Sequence, residues 1–280
     1  MGENVGARSR AWVAAGLPMI TLLTDFGLED AYVGVVKGVI ARIAPQALVV
    51  DICHRVPPQD VRRGGIIWAS AIPYFPPGTI HVAVVDPGVG TSRKILAVEG
   101  RGSVFLVPDN GIIGHVLRKS EIRRAVAVRR EDHFLRPVSA TFHGRDIFAP
   151  VAAHLALGLH IDALGPRCRP SRWDEIPRPR RRWARRGNRR LIEERGEIVY
   201  VDSFGNAMTN LRPAEGRDLI VLEAGGTVFR EISRAYCDVA PGSPLVLVGS
   251  TGHVEIAVRE GRASSALRLG VGDRVLAVWG

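Results

Sequence analysis

The chain has 280 residues, a formal net charge of +10 at pH 7 and 46% hydrophobic residues. This length suffices for two domains, and no run approaches the roughly 18–20 apolar residues of a membrane span. Three widely separated cysteines, Cys53, Cys168 and Cys237, form no CxxC pair. A disulfide framework and a zinc site are therefore not indicated, and a cytoplasmic protein is expected.

The positive charge is concentrated in one segment. Eight arginines lie within RPRRRWARRGNRR, residues 178–190, and removing these eight charges from +10 leaves +2. Apart from Trp183 the segment lacks the interleaved aromatic residues of a nucleic-acid stacking platform. We interpret it as a solvated linker and expect no nucleic-acid partner, with binding of RNA or of an acidic surface as the alternative.

The first half of the chain alternates between short β-branched runs and helix-like stretches. We interpret the first 18 residues as an extension rather than a signal peptide, because Gly16 and Pro18 interrupt their apolar run. The alternation that follows predicts a mostly parallel sheet covered by helices. Strands are predicted at MITLLTDFG, ALVVDIC and TIHVAVVDPG, a hairpin at KILAVEG and SVFLVPDNG, and helices at DAYVGVVKGVIARIAP, DVRRGGIIWASAIPYF, IIGHVLRKS and DIFAPVAAHLALGL.

The composition changes after Gly165. Four prolines and the arginine run are typical of a linker. Beyond them, strands separated by glycine turns and lacking a clear helix predict a small antiparallel β domain, a barrel or a sandwich. The predicted organisation is an extension at 1–18, an α/β catalytic domain at 19–166, a linker at 167–190 and a β C-terminal domain at 191–280.

Polar residues follow three of the predicted strands, at Asp25, at Asp86 and at Asp109 with Asn110. Because ligands of open α/β sheets bind at the carboxyl ends of the strands, these residues predict one pocket. The glycine-rich VVDPGVGTSRK is not a phosphate-binding loop, since Arg93 stands where GxGxxG needs its third glycine and Asp86 would repel a phosphate.

A second polar constellation is SATFHGRDIFAP. His143 precedes a predicted buried helix and can present its imidazole to a cleft, while Arg145 and Asp146 can pair to hold the loop. The alternative is that His143 merely caps or packs. No second histidine or carboxylate stands at metal-ligand spacing, so no metal site is predicted.

Taken together, these segments resemble the S-adenosylmethionine hydroxide adenosyltransferase family, which is related to the fluorinases and chlorinases. The resemblance extends from TDFG through DPGVGTSRK, VPDNG, SATFHGRDIFAP and VDSFGNAMTN to GSTGHVEIAV. It implies an α/β domain followed by a β domain, and a homotrimer with active sites between neighbouring subunits. The implied reaction converts S-adenosylmethionine and water to adenosine and methionine, with no cofactor.

The family's hydrolases carry an Asp, Arg and His set that falls here on Asp86, Arg93 and His143, whereas its halogenating members have other residues at the Asp and His positions. Departure of a neutral thioether needs no general acid, but water needs activation. Arg93 would stabilise a developing hydroxide, and Asp86 and His143 would orient the water and accept its proton. Which of the two is the base stays open.

The resemblance also implies the residues that bind the substrate. Asp25 matches the carboxylate that holds the ribose hydroxyls, and Asp202 and Asn206 match residues of the ribose and methionine region. Gly144 stands where the fluorinase uses a serine to bind fluoride. The remaining matches are Phe142, Phe204 and Tyr236 along the nucleoside, and Ser250, Glu255 and the Val258 backbone at the methionine or adenine ends.

Two other functions compete with hydrolysis. A halide-dependent adenosyl transferase is disfavoured because Asp86 would repel an anion beside the nucleophile position. A non-catalytic sensor of S-adenosylmethionine or adenosine is disfavoured by the complete Asp, Arg and His set. Adenosine is expected to copurify if the enclosed product pocket releases it slowly.

Overall fold

The computed structural model describes residues 17–280, in two compact units that meet along the chain at Glu175 and Ile176. The predicted N-terminal extension therefore lies almost entirely outside the described residues. Within residues 17–280, no helix combines the length and the apolar character needed to cross a bilayer.

The first unit is built on a six-stranded sheet in the order β2-β1-β3-β5-β4-β6. Only β4 runs against the other strands, so the prediction of a mostly parallel sheet is confirmed, as is the β4–β5 hairpin. The last strand was not predicted. The strands are β1 (Met19–Thr24), β2 (Leu48–Cys53), β3 (Ile80–Val84), β4 (Ile95–Gly100), β5 (Ser103–Pro108) and β6 (Ile122–Ala127).

Three of the four predicted helices form helices of two turns or more. These are α1 (Tyr32–Ile43), α2 (Val61–Ala71) and α3 (Ala149–Ala156), and a π-helical turn at Gly144–Phe148 leads directly into α3. The Asp60 carboxylate caps α2 by accepting a hydrogen bond from the Arg63 amide at 2.9 Å. The short helix predicted at IIGHVLRKS is instead two 3₁₀ turns, and the 3₁₀ turns of this unit are Ile72–Tyr74, Ile112–His115, Lys119–Glu121, Glu131–His133 and Ile161–Leu164.

The central strands are buried on both faces, which explains their uninterrupted apolar runs. Along β3 and the residue after it, Val82 and Val84 pack into one core with residues of α1 and α3. Ala83 and Val85 point the other way and pack into a second core with Trp68 of α2. The unit therefore has three layers, with the sheet between helices, as the sequence predicted.

The second unit is an antiparallel, barrel-like sheet in the order β11-β10-β14-β8-β9-β13-β12, with β7 paired to β8. The predicted β domain is confirmed, although one short helix, α4 (Ala263–Ala266), and a 3₁₀ turn at Tyr236–Asp238 were not foreseen. Its strands are β7 (Arg180–Arg186), β8 (Arg189–Val201), β9 (Ala207–Thr209), β10 (Leu219–Ala224), β11 (Thr227–Phe229), β12 (Pro244–Val248), β13 (Val254–Val258) and β14 (Arg274–Trp279).

The segment predicted as a linker differs from that expectation in its arginine-rich half. Residues 180–186 form β7, which turns at Gly187 and pairs with β8. The composition predicts a solvated linker, but the backbone groups of these arginines pair with the following strand. Across the ladder, Arg181 and Arg182 form ion pairs with Glu194 and Glu193. The domain boundaries themselves stay a prediction.

Candidate functional site

The site of the first unit lies at the point where the strand order changes direction. Strand β2 flanks β1 on one side and β3 flanks it on the other. Asp25 follows β1 directly, and Asp86 comes two residues after β3. A switch point of this kind leaves a crevice at the carboxyl ends of the two strands. The sheet topology therefore brings together two of the predicted acids.

Arg93 and Asp86 form a forked ion pair in this crevice. The Arg93 Nε lies 3.0 and 2.8 Å from the two carboxylate oxygens of Asp86, and its Nη2 donates to Asp86 Oδ2. The same Nη2 lies 2.9 Å from Nδ1 of His143. The turn between the two residues is braced by the Gly88 amide, 3.2 Å from Asp86 Oδ1, and needs a positive φ of 77° at Gly90. Arg93 thus links Asp86 to His143, two residues that the sequence separates by 57 positions.

Burial and charge set the protonation of His143. The Asp86 and Arg93 side chains are only 5% and 12% exposed, so their pair is poorly screened by solvent. Partial burial lowers the pKa of His143, and the Arg93 guanidinium lowers it further against the opposing effects of Asp86 and Asp146. A guanidinium can only donate, so Nδ1 is the acceptor of the contact and the neutral ring carries its hydrogen on Nε2. His143 therefore has a hydrogen-bond donor at Nε2, and the residue lines a hollow of the crevice.

A small hollow of about 60 Å³ joins these residues to others that were predicted to bind substrate. Its lining includes Asp25, Phe142 and Gly144 beside Asp86 and His143. Four further lining residues were not predicted from the sequence. For Phe26, the one indication in the sequence is that it directly follows Asp25. The other three are Val84, Val89 and Thr141.

An aromatic cluster and one glycine shape this hollow. The Phe142 ring packs edge-on against Phe26 and Tyr32, with centroids 5.8 and 5.2 Å away. A Cβ at Gly144 would stand 2.9 Å from Phe26 Cζ. A serine at this position would therefore require the aromatic cluster to shift.

Asp25 is held at the edge of the hollow by the backbone of a neighbouring loop. Its Oδ2 accepts a hydrogen bond from the Gln59 amide at 2.8 Å. Burial raises the pKa of Asp25, the Gln59 amide opposes the shift, and the nearby Asp86 adds to it. Asp25's own amide also bonds to this carboxylate, and among the described residues no side chain donates to it.

The loop that presents His143 is anchored by a buried carboxylate. Asp146 is fully buried and accepts hydrogen bonds from Arg145 Nε at 2.6 Å and from the Ser139 amide at 2.8 Å. Burial alone would raise the pKa of Asp146, but these bonds outweigh burial and lower it. The predicted pairing of Arg145 with Asp146 is present. It closes the loop at the start of the π-helical turn, a feature often found at functional sites.

In the second unit, four of the predicted residues form one hydrogen-bonded cluster. The Asp202 carboxylate accepts from the Asn206 amide and side chain at 2.8 and 3.1 Å, and the Tyr236 hydroxyl donates to Glu255 at 2.9 Å. Asn206 Nδ2 lies 3.4 Å from the Tyr236 oxygen and links the two pairs. Burial and Glu255 raise the pKa of Tyr236 to about 12, and burial raises that of Glu255. Two carboxylates so close together favour a cationic ligand.

Among the described residues, three predicted binding residues form no side-chain hydrogen bond with this cluster. Phe204 is 73% exposed, Ser250 is exposed near the start of the turn between β12 and β13, and Val258 buries its side chain in the core of the second unit. The Val258 carbonyl accepts from the Gly261 amide at 3.1 Å. Their roles stay predictions.

Asp109 and Asn110, which the sequence grouped with the pocket, serve the scaffold. Asp109 accepts hydrogen bonds from the backbone amide and hydroxyl of Ser171, at 2.8 and 2.5 Å. Asn110 donates to the carbonyl of Val85 at 2.7 Å. These contacts fix the chain segment after α3 and the end of β3. The two residues do not line the small hollow, but they line an adjoining cavity of about 450 Å³ together with Asp86 and Arg93.

Comparison with known proteins identifies the family. Residues 20–165 match the SAM hydroxide adenosyltransferase N-terminal domain, and residues 196–276 match the C-terminal domain of the same family. The chain belongs to the SAM hydroxide adenosyltransferase family, as its motifs indicated.

Its relatives include named enzymes. An (R)-S-adenosyl-L-methionine hydrolase of Salinispora tropica is 42% identical over 265 residues, covering 93% of this chain and 98% of the relative. The hydrolase of the same name from Thermus thermophilus is 41% identical, with 89% and 95% covered. A fluorinase of Nocardia brasiliensis is 26% identical, with 69% and 71% covered.

Solved structures agree with this assignment. The crystal structure of a conserved protein from Thermotoga maritima superposes with a TM-score of 0.82 at 36% identity, covering 92% of this chain and 99% of that one. The two-domain architecture is therefore shared with a crystallised relative of nearly the same extent.

Proposed function

We propose that this protein hydrolyses (R)-S-adenosyl-L-methionine to adenosine and L-methionine. The observation that carries the proposal is the partly buried contact of Arg93 with both Asp86 and His143 at the sheet's switch point. The names of the relatives that are 35–42% identical support the substrate, and their (R) prefix designates the sulfonium configuration.

In the proposed reaction, the oxygen of a water molecule attacks C5′ of the ribose in line with the C5′–S bond. That bond breaks, its electron pair stays on sulfur, and the sulfonium cation becomes the neutral thioether of methionine. The water proton leaves to a basic group. Since the leaving group needs no proton, the residues act on the nucleophile.

The geometry favours Asp86 as the acceptor of that proton. His143 accepts from Arg93 at Nδ1, so its Nε2 hydrogen is the group available to hold the water oxygen. Arg93 neutralises the Asp86 carboxylate in the ground state and would stabilise negative charge developing on the water oxygen. We therefore assign Asp86 as base, Arg93 as electrostatic stabiliser and His143 as the donor that orients the water.

The remaining site residues are proposed to bind the substrate. Asp25 would hold the ribose hydroxyls, and Phe142 and Gly144 would line the nucleoside. In the second unit, Asp202 and Asn206 would contact the ribose and the methionine ammonium, with Tyr236 and Glu255 behind them. Phe204, Ser250 and the Val258 backbone complete the proposed set.

We further propose a cytoplasmic homotrimer with active sites between neighbouring subunits. The adjoining cavity beside Asp86 and Arg93 measures about 450 Å³, whereas the hollow that holds Asp25 and His143 measures about 60 Å³, far below the 300–1,000 Å³ typical of ligand pockets. The small size of this hollow supports completion of that part of the site by another copy. Sedimentation of the pure protein should give about 91 kDa, three times 30.4 kDa. A monomer that is fully active would contradict this part of the proposal.

The proposal is tested by incubating the protein with each sulfonium epimer in water enriched in heavy oxygen and separating the products. We expect adenosine labelled at its 5′ hydroxyl from the (R) epimer, and strong loss of product in Asp86→Asn and His143→Ala. Binding of the substrate without turnover would instead indicate a sensor. A 5′-halogenated nucleoside formed on adding fluoride or chloride would indicate the halide transferase.

A further inference from the structure

The basic ribbon, which we define as β7, its turn and the facing part of β8 (residues 178–195), lies outside the established family features. The two family models end at residue 165 and resume at residue 196. Within the part of the chain that the structure describes, β7 pairs with β8 alone and has a free edge. The ribbon is thus an addition whose outer edge is open to a partner.

Most arginines of the ribbon have no acid to neutralise them. Glu193 and Glu194 form ion pairs with three of the arginines, namely Arg181, Arg182 and Arg195. Among the described side chains no carboxylate forms an ion pair with five others, all of them exposed: Arg178, Arg180, Arg185, Arg189 and Arg190.

The ladder also places like charges directly opposite each other. Arg185 faces Arg190, and Arg180 faces Arg195. Facing like charges destabilise a ladder, so a bound polyanion would relieve a repulsion that the free ribbon retains. A linker would let these side chains move apart, whereas a paired strand fixes them on known faces.

One aromatic platform stands among the arginines. Trp183 is 65% exposed, and the Arg217 guanidinium lies over its ring at 5.2 Å. The Trp183 ring, Ala184, Arg185 and Arg190 line a concave hollow of about 560 Å³, within the size range of ligand sites. A planar ring can stack on the indole there while its attached anion meets the arginines.

Near the other end of the ribbon, a second concavity also has an excess of positive charge. This cleft of about 940 Å³ is lined by Arg178, Arg180, Arg195 and Arg274, against Glu197 and Glu223. The two concavities share the ribbon, so positive surface continues along it between them.

We propose that the basic ribbon binds single-stranded nucleic acid, with the phosphates on the unpaired arginines and one base stacked on Trp183. This changes the interpretation made from composition, because only the paired strand gives the arginines fixed spacing beside an exposed indole. An acidic protein surface would pair with the arginines but would place no planar ring on Trp183. A duplex would hide its base faces from Trp183.

The test uses the full-length protein and a fluorescent single-stranded oligonucleotide at several salt concentrations. The ribbon variant replaces four unpaired arginines with glutamine, and the control variant removes the same charge from the first unit. Trp183→Leu is tested against an intact oligonucleotide and an abasic one of equal length. The ribbon variant is Arg180→Gln, Arg185→Gln, Arg189→Gln and Arg190→Gln, and the control is Arg42→Gln, Arg118→Gln, Arg123→Gln and Arg130→Gln.

Four phosphate contacts on a single strand predict a slope of about −3 for log K against log salt concentration. We expect the ribbon variant to lose most of this slope while its thermal midpoint stays at or above that of the wild type and its hydrolase activity is unchanged, and the control variant to keep the slope. Loss of one stacked base should weaken binding by roughly fivefold or more in Trp183→Leu. The abasic strand should bind equally to both proteins.

Four results would overturn the proposal. The first is no binding at low salt, and the second is binding that the ribbon variant leaves unchanged. The third is binding as tight to polyglutamate as to the oligonucleotide with no effect of Trp183→Leu, which would indicate an acidic protein partner. A changed oligomer mass in the ribbon variant without nucleic-acid binding would assign the free edge to contacts between copies and would equally refute it.

Discussion

Replacing Arg93 with lysine tests whether the site needs a fork or only a positive charge. The guanidinium uses Nε and Nη2 together on Asp86 and shares Nη2 with His143. A lysine keeps the charge but cannot span all these acceptors, so at least one charge-assisted hydrogen bond is lost. Such a bond contributes about 1.5–3 kcal/mol, and 1.4 kcal/mol is a factor of ten. We therefore expect kcat/KM for adenosine release to fall roughly 10- to 150-fold.

The matched control is Arg101→Lys, which breaks a similar fork on Glu121 at the surface. Because Arg101 is 45% exposed, that pair contributes less than about 1 kcal/mol, and both activity and thermal midpoint should stay near wild type. Arg93→Lys with wild-type kcat/KM and an unchanged fold would refute the assignment of the forked pair. So would strict additivity of Arg93→Lys and Asp86→Asn, since residues that act as a unit are non-additive.

Three further predictions follow from the same geometry. Burial and Arg93 lower the pKa of His143, and activity needs its neutral ring, so the acid limb of the pH profile of kcat/KM should lie below pH 6.5. Arg93→Gln should move this limb to higher pH, and a limb that does not move would refute the role of the neutral His143 ring. Asp25→Asn should lower kcat/KM on S-adenosylmethionine but have little effect on a substrate analogue without ribose hydroxyls, and equal losses on both would exclude the ribose contact. Phe105→Ala should cost about 3–5 kcal/mol of unfolding free energy in denaturant titration, since Phe105 is fully buried between the sheet and α2, and a loss below 1 kcal/mol would mean that this core is not close-packed.

Local patterns carried much of the fold. The runs at β1 and β3 are apolar on both faces because the sheet lies between helices. Such uninterrupted apolar runs predict a parallel sheet from the sequence alone. The β6 strand escaped prediction because IRRAVA alternates weakly and takes its structure from pairing with β4. The composition of residues 180–186 predicts a linker for a similar reason, because a count of arginines and prolines carries no information about pairing with β8.

The sequence predicts some residues of the candidate site but not the roles of others. Asp25 and Asp86 were found because strand ends at one edge of a sheet converge, and the motif of His143 indicated a cleft. The role of Asp109 could not be predicted locally, because its carboxylate accepts a hydrogen bond from Ser171, which lies 62 residues later in the chain.

The sequence by itself determined the family, the two-domain architecture and the identity of the polar residues, because these depend on local apolar periodicity and on ordered motifs. The tertiary structure alone decided that Arg93 bridges Asp86 and His143, which in turn sets the proton on Nε2 of the imidazole. It also decided that the arginine-rich segment forms a strand paired with β8, with Trp183 exposed among the arginines. Both results depend on distances between residues far apart in the chain, and pairing across such distances is settled by burial and backbone hydrogen bonding rather than by local pattern.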